Sequence, residues 1–343
     1  MSASLFPNPF PLSGLRAIAA LADRLPVADP SAIADARARQ DSLIKPPGSL
    51  GRLEELALFM AGWRATPRPE IVRAQALVFA GNHGICAQGV NPYPQAATAQ
   101  MVATFEAGGA AINQLCSISG ADLSVIPLDL DCPTADFTEQ PAMSDAECLE
   151  ALNRGAAAVD MEADILILGE MGIGNSTVAA ALCAALFGGP VAGWVGPGTG
   201  SDADGIARKL AAIEKGLARH RGLDAVAMLT ALGGREQAAL CGAILAARTA
   251  RIPVILDGFI CTAAAAVLHA VDDRLLDHCL VGHASREPGH RRLLSVLRKR
   301  PILDLDMRLG EGSGAALALS IVRAALACHN GMATFAEAGV ATT

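Results

Sequence analysis

Short apolar runs alternate along the chain with longer stretches in which apolar residues recur at helical spacing. The runs are rich in β-branched residues and fall at 74–80, 123–128, 164–168, 225–229, 253–256, 279–281 and 302–305. Between them, 95–114, 145–159, 176–187, 204–219, 236–247 and 262–269 read as Ala-rich helices, with another at 315–328. Strands of near-continuous apolar character, each followed by a helix, predict a mostly parallel sheet with helices on both faces. Right-handed crossovers then give a doubly wound α/β fold, whose ligands bind at the carboxyl ends of the strands. A closed barrel of eight such units would use the same end, but about seven runs favour the open sheet. Residues 1–65 differ from the rest: they are helical and charged, without strand runs.

Polar and Gly-rich segments cluster just after the strand runs. Arg308-Leu309-Gly310-Glu311-Gly312-Ser313-Gly314 sets one carboxylate among three glycines, between the run at 302–305 and an Ala-rich helix. Glycines let the backbone turn sharply against a ligand, and the helix start behind them offers free N–H groups. Gly169-Glu170-Met171-Gly172-Ile173-Gly174-Asn175 repeats that build after 164–168. Two such elbows suggest two carboxylates aimed into one crevice. A third Gly loop, Val195 to Asp202, contains Gly196, Gly198 and Gly200 and precedes a helix with Arg208-Lys209, a reasonable phosphate cradle. It matches neither the P-loop nor the dinucleotide fingerprint. Asp257-Gly258 and His283-Ala284-Ser285 lie at two further strand ends.

Two other segments admit both a chemical and a structural role. His83, in Gly81-Asn82-His83-Gly84, is either an acid–base group near neutral pH or a lock for its loop. Tyr93, the sole tyrosine, sits between two prolines, which suits stacking on a flat heterocycle. Lys45 to Glu54 reads as a turn entering a helix, with Ser49 as a cap, so Lys45 and Arg52 serve a domain-joining elbow.

Composition narrows the field. At 52% hydrophobic and 18% charged, the 343 residues bury a large core, and 3% aromatics leaves Ala, Leu, Val and Ile to build it. A net charge of -7 argues against a nucleic-acid surface. The basic cluster at 286–300 reads as a solvated helix face. Nine cysteines, odd in number and without a C-x-x-C pair, indicate a reducing compartment rather than a disulfide frame or zinc site. No basic n-region and apolar h-region opens the chain, and Gly188-Gly189-Pro190 interrupts the uncharged stretch 171–201, leaving it short of a bilayer of about 30 Å. The expectation is a soluble cytoplasmic protein with no membrane span.

Taken together, the segments resemble the nicotinate-nucleotide–dimethylbenzimidazole phosphoribosyltransferase family from about Ile44 to Ala338. The most specific pieces are KPPGSLGRLE, GNHG with GVNPYPQ, GEMGIGNST, PVILDGF, GHASREPGH and MRLGEGSGAALA. The resemblance implies transfer of phosphoribose from nicotinate mononucleotide to 5,6-dimethylbenzimidazole, giving α-ribazole 5′-phosphate and nicotinate for the cobalamin lower loop. It puts the general base on Glu311 and a second catalytic carboxylate, near the ribose, on Glu170. Lys209, Gly172 and the Gly196, Gly198 and Gly200 loop become phosphate ligands. Gly174, Asn175, His83, Ser285, Gly310 and Gly312 complete the substrate site, and Tyr93 falls in the benzimidazole pocket. No metal or cofactor is expected, and a homodimer is.

The corresponding division is an α/β Rossmann-like catalytic domain over 66–305, with 1–65 and 306–343 forming a small helical domain that contributes the Glu311 loop. Asn82 stands where several relatives have Asp, which weakens an acid role at that loop. Tyr93 and Met101 stand where some relatives have Ser and Gln, which alters the pocket lining and opens it to another lower base. Two other readings compete. A pyrophosphate-linked phosphoribosyltransferase would want adjacent acidic residues ahead of a Thr-rich phosphate loop, and Asp272-Asp273 has no such loop. A non-catalytic nucleotide-binding homologue would have lost Glu311 or Glu170, and both are present.

Overall fold

The structure is a computed structural model and is described over residues 9–340. The expected division assigned 1–8 and 341–343 to the small helical domain; these lie outside the described residues. Helices α1 (Pro30–Ser42) and α2 (Arg52–Arg64) precede strand β1 (Ala74–Ala80). Then come α3 (Ala96–Glu106), α4 (Ala111–Ser119), β2 (Asp122–Pro127), α5 (Asp145–Ala157), β3 (Ile165–Met171) and α6 (Asn175–Phe187). Helices α7 (Ala203–Arg219), α8 (Ala225–Leu232) and α9 (Arg235–Thr249) lead to β4 (Val254–Leu256) and α10 (Phe259–Val271). The chain closes with β5 (Cys279–His283), α11 (Pro288–Leu297), β6 (Pro301–Leu303), α12 (Ser313–Gly331) and α13 (Phe335–Ala338).

The six strands form one sheet in the order β2-β1-β3-β4-β5-β6, every pair parallel. Alternate residues feed two cores. Leu77, Phe79, Leu166 and Leu168 pack with α5, α6, α8, α9 and α10, whereas Ala76, Val78, Ile165 and Ile167 pack with α2, α4 and α12. Burial on both faces is why the strands read as continuous apolar runs. Strand order reverses between β1 and β3, and an open α/β sheet has its crevice at such a point.

The open sheet expected from the pattern is present, with one strand fewer. The run at 225–229 is not a strand but part of α8. An apolar run of that length fits either element, and here Asp224 decides: its carboxylate accepts the Ala227 N–H at 2.8 Å and caps a helix. The stretch 95–114 is two helices, broken at Gly108, whose φ of +78° ends the first. Strand β3 also runs on through Glu170 to Met171, so that carboxylate stands on a strand and not in a loop.

Helix α9 is buried along its whole length. It approaches α5 backbone to backbone at two glycines. A Cβ on Gly155 would lie 1.9 Å from the Ala239 carbonyl oxygen, and one on Gly242 1.9 Å from that of Leu152.

Candidate active site

The loops after β1, β3, β4, β5 and β6 meet at the carboxyl end of the sheet around a cleft of about 800 Å³, open solvent at its mouth included. Four carboxylates line it, Glu170, Asp257, Glu287 and Glu311, together with two cations, Lys209 and Arg308.

Glu311 stands in a turn of three consecutive left-handed residues, with φ +85° at Gly310, +64° at Glu311 and +85° at Gly312. Glycine takes this conformation freely, but a glutamate there costs about 1–2 kcal/mol. Strain of that kind persists where the surroundings over-determine it, and it clusters at functional sites. The surroundings here are close. A Cβ on Gly169 would lie 2.5 Å from the Gly312 nitrogen, so the turn rests on β3 itself. A Cβ on Gly310 would lie 2.8 Å from Glu170 Oε1, which brings the two carboxylates into one corner of the cleft.

Burial, with the Asp257 charge second, pushes the Glu311 carboxyl up to about 7. Glu170 is raised well above the usual carboxylate range, chiefly by burial and then by Asp257, Glu236 and Glu311. The Asn175 amide donates to Glu170 Oε2 and opposes that rise.

A second corner is built for an anion. Helix α6 starts at Asn175, and its N-cap Gly174 offers no side-chain cap, so the positive end of the helix dipole faces the cleft. The Asn175 and Thr177 N–H groups donate to the Gly172 and Gly174 carbonyls. Lys209, 3% exposed, donates to Ser176 Oγ and the Gly196 carbonyl, each at 3.2 Å. Burial lowers its pKa, and Glu287 opposes the change. Gly198 lies so close that a Cβ there would stand 3.1 Å from Lys209 Nζ. Its N–H donates to Glu287 Oε1 at 3.0 Å, and its carbonyl accepts from Arg308 Nη1 at 3.0 Å. Burial raises the Glu287 carboxyl, and Lys209, the Gly198 N–H and Arg308 oppose the rise.

Of the residues expected from the sequence, Glu311, Glu170, Lys209, Gly172, Gly174, Asn175, Gly198, Ser285 and Gly310 line the cleft. Gly196 contributes its carbonyl to Lys209 from just behind the wall, and Gly312 donates to Asp257. Gly200 borders a separate shallow groove with Asn91 and Arg208. Tyr93 is 53% exposed and stands off the cleft, although Val90, Asn91 and Pro92 of its loop line it. His83 is fully buried, its Nε2 3.2 Å from Glu236 Oε1, and is not among the residues lining the cleft. Lys45 pairs with Glu54 at 2.8 Å, within the elbow.

Sequence reasoning gave no role to Asp257, Glu287, His283 or Arg308, although all four line the cleft. Position at a strand's carboxyl end was the signal for Asp257 and His283, while Glu287 and Arg308 lay inside recognised motifs without being singled out.

Comparison with known proteins agrees with the geometry. A phosphoribosyltransferase family model matches residues 25–340. The nicotinate-nucleotide–dimethylbenzimidazole phosphoribosyltransferase of Rhodobacter capsulatus is 68% identical over 329 residues, covering 96% of this chain and 98% of that protein. The protein of the same name from Novosphingobium aromaticivorans is 59% identical over 331 residues, with 96% and 98% covered. Among solved structures, the enzyme of that name from Thermus thermophilus superposes with a TM-score of 0.86 at 41% identity, covering 92% of this chain and all of that one.

Proposed function

The chain belongs to the nicotinate-nucleotide–dimethylbenzimidazole phosphoribosyltransferase family, and from that premise we propose how its cleft moves phosphoribose from nicotinate mononucleotide to 5,6-dimethylbenzimidazole. It is an enzyme of the pentosyl-transferring class. The observation that carries the reading is the pair of corners in one cleft, carboxylates Glu311 and Glu170 on one side and Lys209 with the α6 N-terminus on the other.

The 5′-phosphate binds Lys209, the positive end of α6 and the Gly196–Gly200 loop, which hold C1′ toward the two carboxylates. Glu311 takes the imidazole N–H proton of the incoming base. The other ring nitrogen forms a bond to C1′ as the bond from C1′ to the nicotinate nitrogen breaks, and that electron pair neutralises the cationic pyridinium ring. Glu170, held by the Asn175 amide, faces the positive charge building on the ribose, and that charge draws the carboxyl toward its ionised, stabilising form against the burial that favours the neutral one. A carboxyl near 7 suits a base working at neutral pH. Attack opposite the leaving group inverts C1′ from β to α in one displacement, with no covalent intermediate.

The flat base lies against Leu309 and Ile173, both at the cleft, with the loop of Tyr93 above. Leu305, 57% exposed and outside the cleft lining, is open to a contact between two copies of the chain, and the homodimer expected from the resemblance stays part of the proposal. Nine free thiols support a cytoplasmic setting. No helix among the described residues is long and apolar enough to cross a membrane. Among the described residues, 9–65 and 306–340 form the unit that carries the Glu311 turn.

Incubating the purified protein with nicotinate mononucleotide and a panel of benzimidazoles, adenine and phenols, read by mass spectrometry, tests the reading. It predicts α-ribazole 5′-phosphate and stoichiometric nicotinate with dimethylbenzimidazole. Release of nicotinate with none of the bases would overturn it, and a higher turnover with a different base would change only the acceptor.

A further inference from the structure

We propose that Asp257 is the positioning residue of the reaction, its carboxylate fixing the strained turn that presents Glu311. The inference deepens the reading above and rests on Glu311 being the base.

Asp257 follows β4 directly and is 1% exposed. Its Oδ2 accepts the Gly312 N–H at 3.2 Å and its Oδ1 the Ala315 N–H at 3.0 Å. A helix is usually capped by the side chain of its own first residue. Here that residue is Gly312, which has none, so the donors of α12 turn to a carboxylate 55 residues away in the chain. An anion at a helix N-terminus is favoured by the helix dipole as well as by the hydrogen bonds. The two bonds bracket the point where the chain leaves the left-handed turn, one residue after Glu311.

The packing around this contact leaves it no slack. His283 Nδ1 lies 3.4 Å from Asp257 Oδ1. A Cβ on Gly314 would meet that same ring nitrogen at 2.0 Å, so residue 314 must be glycine for the helix start to reach Asp257. Asp257 also lines the cleft, so the group that holds the turn is charged and shares the space of Glu311.

Its charge therefore acts on the base as well as its hydrogen bonds. The other ionisable groups lining the cleft with Glu311 come from separate elements: Glu170 on β3, with Glu236 of α9 acting on it, His283 on β5, Glu287 just before α11, Lys209 on α7, and Arg308 on the same loop. Among them, Asp257 is the one charge that raises the Glu311 carboxyl beyond the effect of burial. A role confined to folding would leave no trace on the protonation of Glu311.

The pH profile of kcat/KM with nicotinate mononucleotide and dimethylbenzimidazole, measured for wild type and Asp257→Asn, tests this. The asparagine keeps the shape but loses the charge and one of the two acceptors. Turnover should fall roughly 10- to 100-fold, the scale for misplacing a reacting group. The acid limb should move to lower pH, and the KM for nicotinate mononucleotide should stay within about threefold. An acid limb unchanged from wild type would overturn the proposal, whatever the loss of turnover. Should the variant not fold, amide exchange in the wild-type protein decides instead. Protection of the Gly312 and Ala315 amides above those of Gly310 and Glu311 is expected, and equal exchange at all four would sink the idea. A wild-type protein that makes no product would refute the reaction, while the exchange pattern would still report on Asp257.

Discussion

Replacing Glu311 with glutamine should make the protein more stable above neutral pH while disabling it. In the folded protein the carboxyl sits at about 7 rather than 4.5. A raised carboxyl contributes stability that is fully present below the unfolded value and lost as pH rises through the folded one. From about pH 4.5 to 7, ionised Glu311 therefore becomes progressively costlier than a neutral side chain of the same shape. At about 1.4 kcal/mol per tenfold change in proton affinity, the ceiling is about 3 kcal/mol. The side chain lines a cleft open to water, and solvent screening reduces this to about 1–2 kcal/mol. Glutamine shares the left-handed backbone, so the strain cancels in the comparison. With about 2.1 cal/mol/K of unfolding entropy per residue, each kcal/mol moves the Tm of a chain this size by about 1.4 °C. Glu311→Gln should thus melt about 1.5–3 °C above wild type at pH 8 and within error of it at pH 4.5, by scanning calorimetry or fluorescence. Its turnover should drop by roughly 10² to 10⁴, the span for a positioned base. A melting difference that does not grow between pH 4.5 and 7 would refute the electrostatic account of this site.

Other outcomes follow from the same geometry. Lys209→Ala should raise the KM for nicotinate mononucleotide but hardly affect any weak use of nicotinate riboside, which lacks the phosphate; equal losses would remove the phosphate contact. Tyr93 stands off the cleft, so Tyr93→Ala should leave the KM for dimethylbenzimidazole unchanged, and a rise of about 2- to 13-fold, the equivalent of about 0.5–1.5 kcal/mol of stacking, would return Tyr93 to the base slot. Gly155→Ala should destabilise the protein by about 1–3 kcal/mol by overpacking α5 against the Ala239 carbonyl, as read in a urea titration; a neutral effect would mean the helices separate freely. Light scattering at micromolar concentration should give twice the chain mass of 35.1 kDa, and a single-chain mass would rule out the homodimer.

Much of this architecture is legible in the chain because both faces of the sheet are buried. Runs such as 76–80 and 165–168 are apolar at every position, and their ends locate the cleft. Residues 225–229 mislead because periodicity does not separate a buried strand from a buried helix, and only the Asp224 cap does. Glu311 stands out because glycines on both sides announce an unusual backbone. Asp257 does not, since its partners are N–H groups 55 and 58 residues away that carry no side-chain signature. The same holds for His83, whose place is set by Glu236 across the fold. Tyr93 lies in a loop whose course depends on what it packs against, which no local pattern records.

The central claim, one displacement at C1′ driven from the Glu311 corner, is tested most directly by the configuration of the product. Proton NMR of the ribosylated benzimidazole formed by the wild-type protein from β-configured nicotinate mononucleotide should show the α anomer alone. A β product, or a ribosylated protein trapped during turnover, would contradict it.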